Sequence, residues 1–422
     1  MIKISHYFST IDITKGLFVA ILLSLFIYLE HFGYSIFIVI TIFALLGLYL
    51  LIDSEAKVWF WSGFFISMLW FWWIMLSFKI YQIAWVMPFG LIGIGLLYGL
   101  MFLILYKIAQ LISSKTKIPI VFLLAICLFT ISYIHPFGFD WLKLEIIFHN
   151  SYLGTSWWQF GLILFAIALA QYRQNLLFLF LVFLAYSPTA YTTNTNINPS
   201  IKVTTTNIPI DVKWQEESSQ LILQQIFQTI DDGINDGYDL IVFPESTLTM
   251  FLNYETAILE VLQEKSQKIT IVIGALFWDD GIPRNSTYIF NNNTISVAHK
   301  YILVPFGEYN PLPKWIGEWI NKIIYDGGAD YIASETMSEY KIDGVIYRNA
   351  ICYEATSKKL YKDNPKNMIA ISNNGWFVPS TEPTLQRLLL EHYSKQHGTT
   401  IYHSVNMSPS YIVANGKTVF IK

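Results

Sequence analysis

Apolar runs crowd residues 16–186 so densely that this half of the chain cannot be folded around a single water-exposed surface. With 54% hydrophobic, 17% aromatic and only 14% charged residues, the 422-residue chain is too apolar for a soluble protein of its size. A bilayer is the solvent that accommodates it, and a spanning helix needs about 20 mostly apolar residues. The runs Gly16 to Leu29, Ser35 to Ile52, Val58 to Phe78, Trp85 to Tyr106, Ile118 to Ile134, Trp157 to Gln171 and Asn175 to Thr192 give a polytopic α-helical membrane domain of about seven spans. The first and the last two runs are short. The polar stretch Thr192 to Ser200 reads as a linker. The expected division is therefore a transmembrane domain over 1–192, a linker over 193–200 and an ordinary soluble α/β domain over 201–422.

Basic residues orient the spans. With the N-terminus inside, the inner loops carry Lys3, Lys15, Lys57, Lys107, Lys115, Lys117 and Arg173, against Lys79 and Lys143 outside. The positive-inside rule then places residues 200–422 beyond the cytoplasm. The first span lacks a small-residue cleavage site, which reads as a retained anchor. The outer loop from His135 to Ser156 holds Phe137, Phe139, Trp141 and the pair Trp157-Trp158 at its end. It reads either as an aromatic belt at the interface or as a wall of the groove that admits lipid. A net charge of −3 and the lack of a basic stripe exclude nucleic acid as a partner class.

The second half alternates strand-like and helical patterns. Leu221, Leu223, Ile226, Phe227, Ile230 and Ile234 recur at helical spacing, and Gly237 ends the pattern. Leu240 to Phe243, Ile269 to Leu276, Ile351 and Met368 to Ile371 are apolar without alternation, as in a sheet covered on both faces. At the edges of such runs stand a carboxylate, Glu245 in Val242-Phe243-Pro244-Glu245, an amine, Lys300, and a thiol, Cys352 in Ile351-Cys352-Tyr353-Glu354. A thiol of pKa about 8.5 is only slightly ionised at neutral pH. A neighbouring ammonium and a carboxylate that accepts its proton make it a usable nucleophile for acyl transfer through a thioester. Taken singly, Glu245 is equally a helix cap or surface acid, Lys300 a solvated lysine and Cys352 a small buried hydrophobe. The other cysteine, Cys127, lies in an apolar run, so a disulfide between the two is not expected. The eight histidines are scattered, and no metal or organic cofactor is implied.

The order of these motifs resembles the nitrilase, or carbon-nitrogen hydrolase, superfamily, and the whole chain resembles its membrane branch, the apolipoprotein N-acyltransferases. The most specific piece is Lys300-x-x-Leu303-Val304-Pro305-Phe306-Gly307-Glu308-Tyr309-x-Pro311. Asn207-Ile208, Lys213-Trp214, Asn285-Ser286, Ser372-Asn373 and Trp376-Phe377 also match. The resemblance implies an αββα sandwich for residues 201–422, with Glu245 as general base, Lys300 as oxyanion-stabilising amine and Cys352 as nucleophile. It carries over Glu308, Trp214, Tyr353 and Glu354 as supporting positions, Glu308 holding Lys300 charged. The implied partners are a phospholipid acyl donor, a diacylglyceryl-lipoprotein acceptor and the bilayer of the bacterial inner membrane. A membrane-tethered amidase and a non-catalytic lipoprotein-binding scaffold are the competing readings.

Two departures from the family pattern stand out. Family members usually continue into a final spanning helix, which is expected to be missing here because the sequence stops at Lys422. The stretch Ser372 to Thr381 also lacks the family's usual Asp. Trp315, Ile316, Trp319 and Ile320 read either as an amphipathic face that dips into a bilayer or as ordinary packing against the domain.

Overall fold

A computed structural model describes residues 9–187, 197–312 and 331–420, so the amphipathic segment with Trp315 and Trp319 lies outside the described residues. The chain forms two compact units, one of residues 1–136, 140–191 and 379–388, the other of residues 137–139, 192–378 and 389–422. The division falls inside one helix near the end of the chain and assigns a three-residue piece, Phe137–Phe139, to the second unit.

The first unit is helical, in the order α1 (Thr10–His31), α2 (Phe37–Ile52), α3 (Ala56–Phe71), α4 (Met87–Lys115), α5 (Ile120–Ile131) and α6 (Trp157–Tyr172), then a 3-10 helix over Leu176–Ala185. Among the described residues, four helical stretches are long and apolar enough to cross a membrane: Thr10–His31, Ala56–Ile80, Ala84–Lys115 and Ile120–Gly138. Phe37–Ile52, Trp157–Tyr172 and Leu176–Ala185 are shorter apolar helices, so the expected seven spans become four long and three short. The first helix is longer than its apolar run because Lys15 does not interrupt it. Small residues let these helices approach closely, since lipid offers no hydrophobic drive between them. A Cβ on Gly63 of α3 would sit 2.7 Å from the Tyr98 carbonyl of α4. Buried indoles find partners too, with Trp59 donating to the Leu51 carbonyl at 2.7 Å and Trp70 to Ser24 at 3.1 Å.

The second unit is built on two sheets. The first runs β1 (Ile201–Val203), β3 (Leu240–Val242), β5 (Thr270–Asp279), β6 (Ile282–Asn291), β7 (Thr294–His299), with β4 (Leu248–Phe251) beside β5. The second runs β13 (Lys417–Phe420), β12 (Tyr411–Ala414), β11 (Thr400–Asn406), β10 (Asn367–Asn373), β9 (Val345–Ile351), β8 (Glu339–Ile342), with β2 (Thr205–Thr206) beside β11. Residues 201–206 therefore serve both sheets, β1 pairing with β3 and β2 with β11.

Strand alternation sorts the side chains into layers. Leu240, Val242, Val272 and Ile289 face Ile351, Ile369, Ile371 and Tyr402 between the sheets. On the outer face of the first sheet, Ile241, Ile271, Ile273 and Phe290 receive Ile222, Ile226 and Ile230 of the helix Glu216–Asn235 and Leu262 of the helix Thr256–Lys265. On the outer face of the second, Ala350, Met368, Ala370 and Ile401 receive Leu390 and Tyr393 of the helix Glu382–His397. This is the αββα sandwich that the resemblance implied. One position of the helical stripe turns out differently: Leu221 is 59% exposed, because Ile222 begins the inward i, i+4 row.

Strand direction fixes where the site must be. β3 is parallel to β5, and β5, β6 and β7 are successively antiparallel, so β3 and β7 end at one edge. β1 and β2 follow one another in the chain and pair in parallel with β3 and β11, while β9, β10 and β11 are mutually parallel. The C-terminal end of β9 therefore reaches that same edge.

Candidate active site

The three strands ending at this edge deliver the three predicted groups: Glu245 after β3, Lys300 directly after β7 and Cys352 directly after β9. All three belong to the second unit.

Lys300 is 1% exposed, and its Nζ lies 2.8 Å from Glu308 Oε1 and 3.5 Å from Glu245 Oε1. Burial alone would lower its proton affinity, but Glu308, Glu245 and Cys352 together hold it well above the ordinary lysine range. It is thus a fixed ammonium, and Cys352 is within its electrostatic reach.

Glu245 is buried and fully hydrogen-bonded. Asn285 Nδ2 donates to its Oε1 at 2.8 Å, and the Asn373 backbone N–H donates to Oε2 at 2.9 Å. Asn285 Nδ2 also reaches Glu308 Oε1 at 3.0 Å, and Glu308 Oε2 accepts the Val304 N–H at 2.9 Å. One amide thus ties both carboxylates together around one ammonium. Asn406 supports the far side, its Nδ2 donating to Asn373 Oδ1 at 2.8 Å. The Glu245 backbone is held tightly: a Cβ on Gly274 would meet Ser246 N at 2.6 Å and Glu245 Cα at 2.7 Å. Ser246, the next residue, has φ 48°.

Cys352 is only partly buried and has φ 55°, a left-handed conformation that a non-glycine residue adopts when its surroundings enforce it. Glu354 enforces it. Its Oε1 accepts the Ile351 N–H at 2.7 Å, and its Oε2 accepts those of Tyr301 and Ile302 at 2.8 and 3.0 Å. The turn bearing the thiol is thereby bound to the segment following Lys300. Burial raises Glu354 to about 7, with the N–H donors and Lys300 opposing the rise. Tyr353 donates its hydroxyl to the Gly138 carbonyl at 3.0 Å and stacks on Phe139 with ring centroids 5.7 Å apart. Phe137 meets Phe306 edge-on at 5.5 Å.

Trp214 stands apart from this cluster, 44% exposed after the short helix Ile210–Lys213. It is the neighbouring Lys213 that reaches the site, its Nζ donating to the Glu245 carbonyl at 3.2 Å. Sequence reasoning gave Lys213, Asn285, Asn373 and Asn406 no role, although the first three lie in matched motifs. Their contacts join segments far apart in the chain, which spacing along the sequence does not encode. Among the described residues, no group of three or more His, Cys, Asp or Glu side chains could hold a metal ion.

The arrangement places a partly buried thiol within electrostatic reach of a buried ammonium that two carboxylates flank, a set of groups able to support nucleophilic chemistry. Residues 10–190 match the apolipoprotein N-acyltransferase integral membrane domain. The chain is 41% identical over 406 residues to the apolipoprotein N-acyltransferase of Wolinella succinogenes, covering 94% of this chain and 95% of that one. It is 34% identical to the Campylobacter jejuni enzyme of the same name, over 95% and 89% of the two chains. Among solved structures it is similar to an amidase of the nitrilase superfamily from Nesterenkonia, with TM-score 0.40 and 11% identity, over 52% of this chain and 85% of that one. Full-length similarity at this level means that the chain belongs to the apolipoprotein N-acyltransferase family.

Proposed function

We propose that the protein transfers an acyl chain from a phospholipid to the α-amine of an N-terminal S-diacylglyceryl-cysteine on lipoproteins, through a thioester on Cys352. The observation that carries the mechanism is the pairing of Lys300 with both Glu245 and Glu308 beside the Cys352 turn. In the first half-reaction the thiol gives its proton to Glu245 and its sulfur attacks the ester carbonyl. Lys300 stabilises the oxyanion, a contribution worth roughly 3 kcal/mol when one such donor is removed. The C–O bond breaks, and the lysophospholipid alkoxide leaves with the proton from Glu245. In the second half the acceptor amine attacks the thioester and loses a proton to Glu245. The C–S bond breaks, an amide forms and the thiolate recovers that proton.

Both substrates are lipids, which the helical half supports by keeping the enzyme in the bilayer. The lysine and arginine distribution supports a bacterial inner-membrane location with the catalytic unit, residues 201–422, on the periplasmic side. Tyr353, next to Cys352 and stacked on Phe139, is proposed to support the turn that carries the thiol.

Mass spectrometry of the purified protein after incubation with phospholipid, then with a diacylglyceryl-cysteine peptide, tests the proposal. An acyl mass on the Cys352 peptide that moves to the acceptor's α-amine is the expected result. An adduct lost only to water would make the protein a hydrolase, and the absence of any adduct would make it a scaffold.

A further inference from the structure

We infer that Lys213 is a second ammonium of the site, a positioning residue that pins the Glu245 peptide and sets a positive charge beside the Glu245 carboxylate. The inference rests on the acyl-transfer reading above, in which Glu245 must begin each half-reaction unprotonated.

Lys213 is the last residue of the short helix Ile210–Lys213, and its side chain is completely buried. An ammonium carries three N–H donors and is stable out of water only when hydrogen-bonded or charge-paired. Among the described residues its hydrogen bond is to the Glu245 carbonyl oxygen, a neutral acceptor. That leaves its charge to be compensated through space. The neighbouring Trp214 is 44% exposed, so the end of this helix borders solvent while the lysine points inward.

A charge count explains the inward direction. Glu245, Glu308 and Glu354 surround the thiol and its ammonium, and Lys300 is one cation against three acids. Glu245 itself is faced by Lys300 at 3.5 Å, by Asn285 at 2.8 Å, by the Asn373 N–H at 2.9 Å and by Lys213 from the helix side. Glu308 competes for two of those donors, Lys300 and Asn285. Among the described residues Lys213 hydrogen-bonds no carboxylate, and Glu245 is the acid that its charge faces through space. Burial lowers Lys213 to about 8 and Glu245 opposes that fall, so the side chain is predominantly an ammonium at neutral pH.

Full-length Lys213→Gln and Lys213→Met in phospholipid nanodiscs separate charge from scaffolding. Glutamine can still donate to the Glu245 carbonyl but carries no charge, whereas methionine does neither. Single-turnover thioester formation on Cys352 is followed against pH by mass spectrometry. The expected result is that both variants move the acid limb of the rate profile upward by about one pH unit, the scale of a nearby opposite charge. At a pH on that limb, each loses about tenfold relative to the wild type. If Lys213→Gln restores the wild-type profile, Lys213 is only a backbone pin and the inference is overturned. Alkylation of Cys352 by iodoacetamide against pH provides a readout that needs no lipid. An acid limb moved upward there supports the inference, and an unmoved one overturns it. A wild-type protein that forms no thioester would instead refute the acyl-transfer reading and leave the alkylation comparison to decide the role of Lys213.

Discussion

Glu354→Gln exchanges one carboxylate oxygen for an NH2 group in a place where three backbone N–H groups converge. The amide can be placed two ways. If its nitrogen replaces Oε2, the Tyr301 and Ile302 donors both lose their acceptor. If it replaces Oε1, only Ile351 does, so this is the cheaper orientation. A buried donor left unpaired costs about 1–3 kcal/mol. For a unit of this size that is a fall of roughly 2–12 °C in melting temperature. The loss falls on the residue immediately before Cys352, whose left-handed turn it anchors. Misplacing a nucleophile by about 1 Å costs on the order of 10²-fold in rate.

The pH dependence of stability gives an independent measure of the same residue. Folded Glu354 is raised to about 7 from a model-peptide value of 4.5, so between these values the folded state holds more protons than the unfolded one. Stability therefore falls as pH rises through this window, and the deficit is complete above about 7. The shift corresponds to about 3 kcal/mol at 1.36 kcal/mol per unit. Thermal unfolding of the full-length protein followed by limited proteolysis, from pH 4.5 to 8, should show this slope in the wild type and a flatter curve in the variant. An unchanged melting temperature, slope and rate of Cys352 acylation in Glu354→Gln would refute the reasoning.

Glu308→Gln breaks the shorter of the two ion pairs to Lys300, and removing one partner of a buried pair costs about 3–5 kcal/mol. Because Lys300 is raised in the folded state, its contribution is present below the ordinary lysine range and lost only at strongly alkaline pH. The variant should lose stability already at neutral pH and form thioester on the order of 10²-fold more slowly; a rate within tenfold of wild type would contradict this. Gly274→Ala places a methyl 2.6–2.7 Å from the backbone of Pro244, Glu245 and Ser246, atoms that cannot swing aside. Destabilisation of about 1–3 kcal/mol is expected, together with a slower chemical step at saturating phospholipid. Normal acylation kinetics would show that the Glu245 backbone is less constrained than the geometry implies.

The end of β3 was legible because Leu240–Val242 is an apolar run that stops just before Pro244-Glu245, whereas β7 and β9 carry polar residues such as Thr294, Ser296, Arg348 and Asn349 and were placed by the motifs at their ends. The layers were legible because burial is written in composition. Asn285, Asn373 and Asn406 were not, since an asparagine that reaches Glu245 or its support from a distant strand has the same local sequence signature as one in a turn. The aromatic loop after His135 was read as an interface belt or a lipid wall; that Phe137–Phe139 belongs to the second unit, where Phe139 stacks on Tyr353, is a long-range placement its local sequence does not carry. Long-range charge pairing was equally hidden: Arg387 lies 2.6 Å from Glu30 at the end of α1, from a position 357 residues away. Helix lengths were misjudged where a single lysine was treated as a boundary, as at Lys15.

The crossing of residues 201–206 from one sheet to the other has a kinetic consequence. Thr204 and Thr206 bond to Ser404, Ser410 and Asn406, partners some 200 residues further along the chain. Closing so long a loop is entropically expensive, and such pairings form late in folding. Asn406 is also the residue that supports Asn373 against Glu245. Glu245 thus acquires its full set of hydrogen bonds only when β11 docks on β2, so a chain interrupted during synthesis before that strand holds Glu245, Lys300 and Cys352 without the Asn406 support that completes their surroundings.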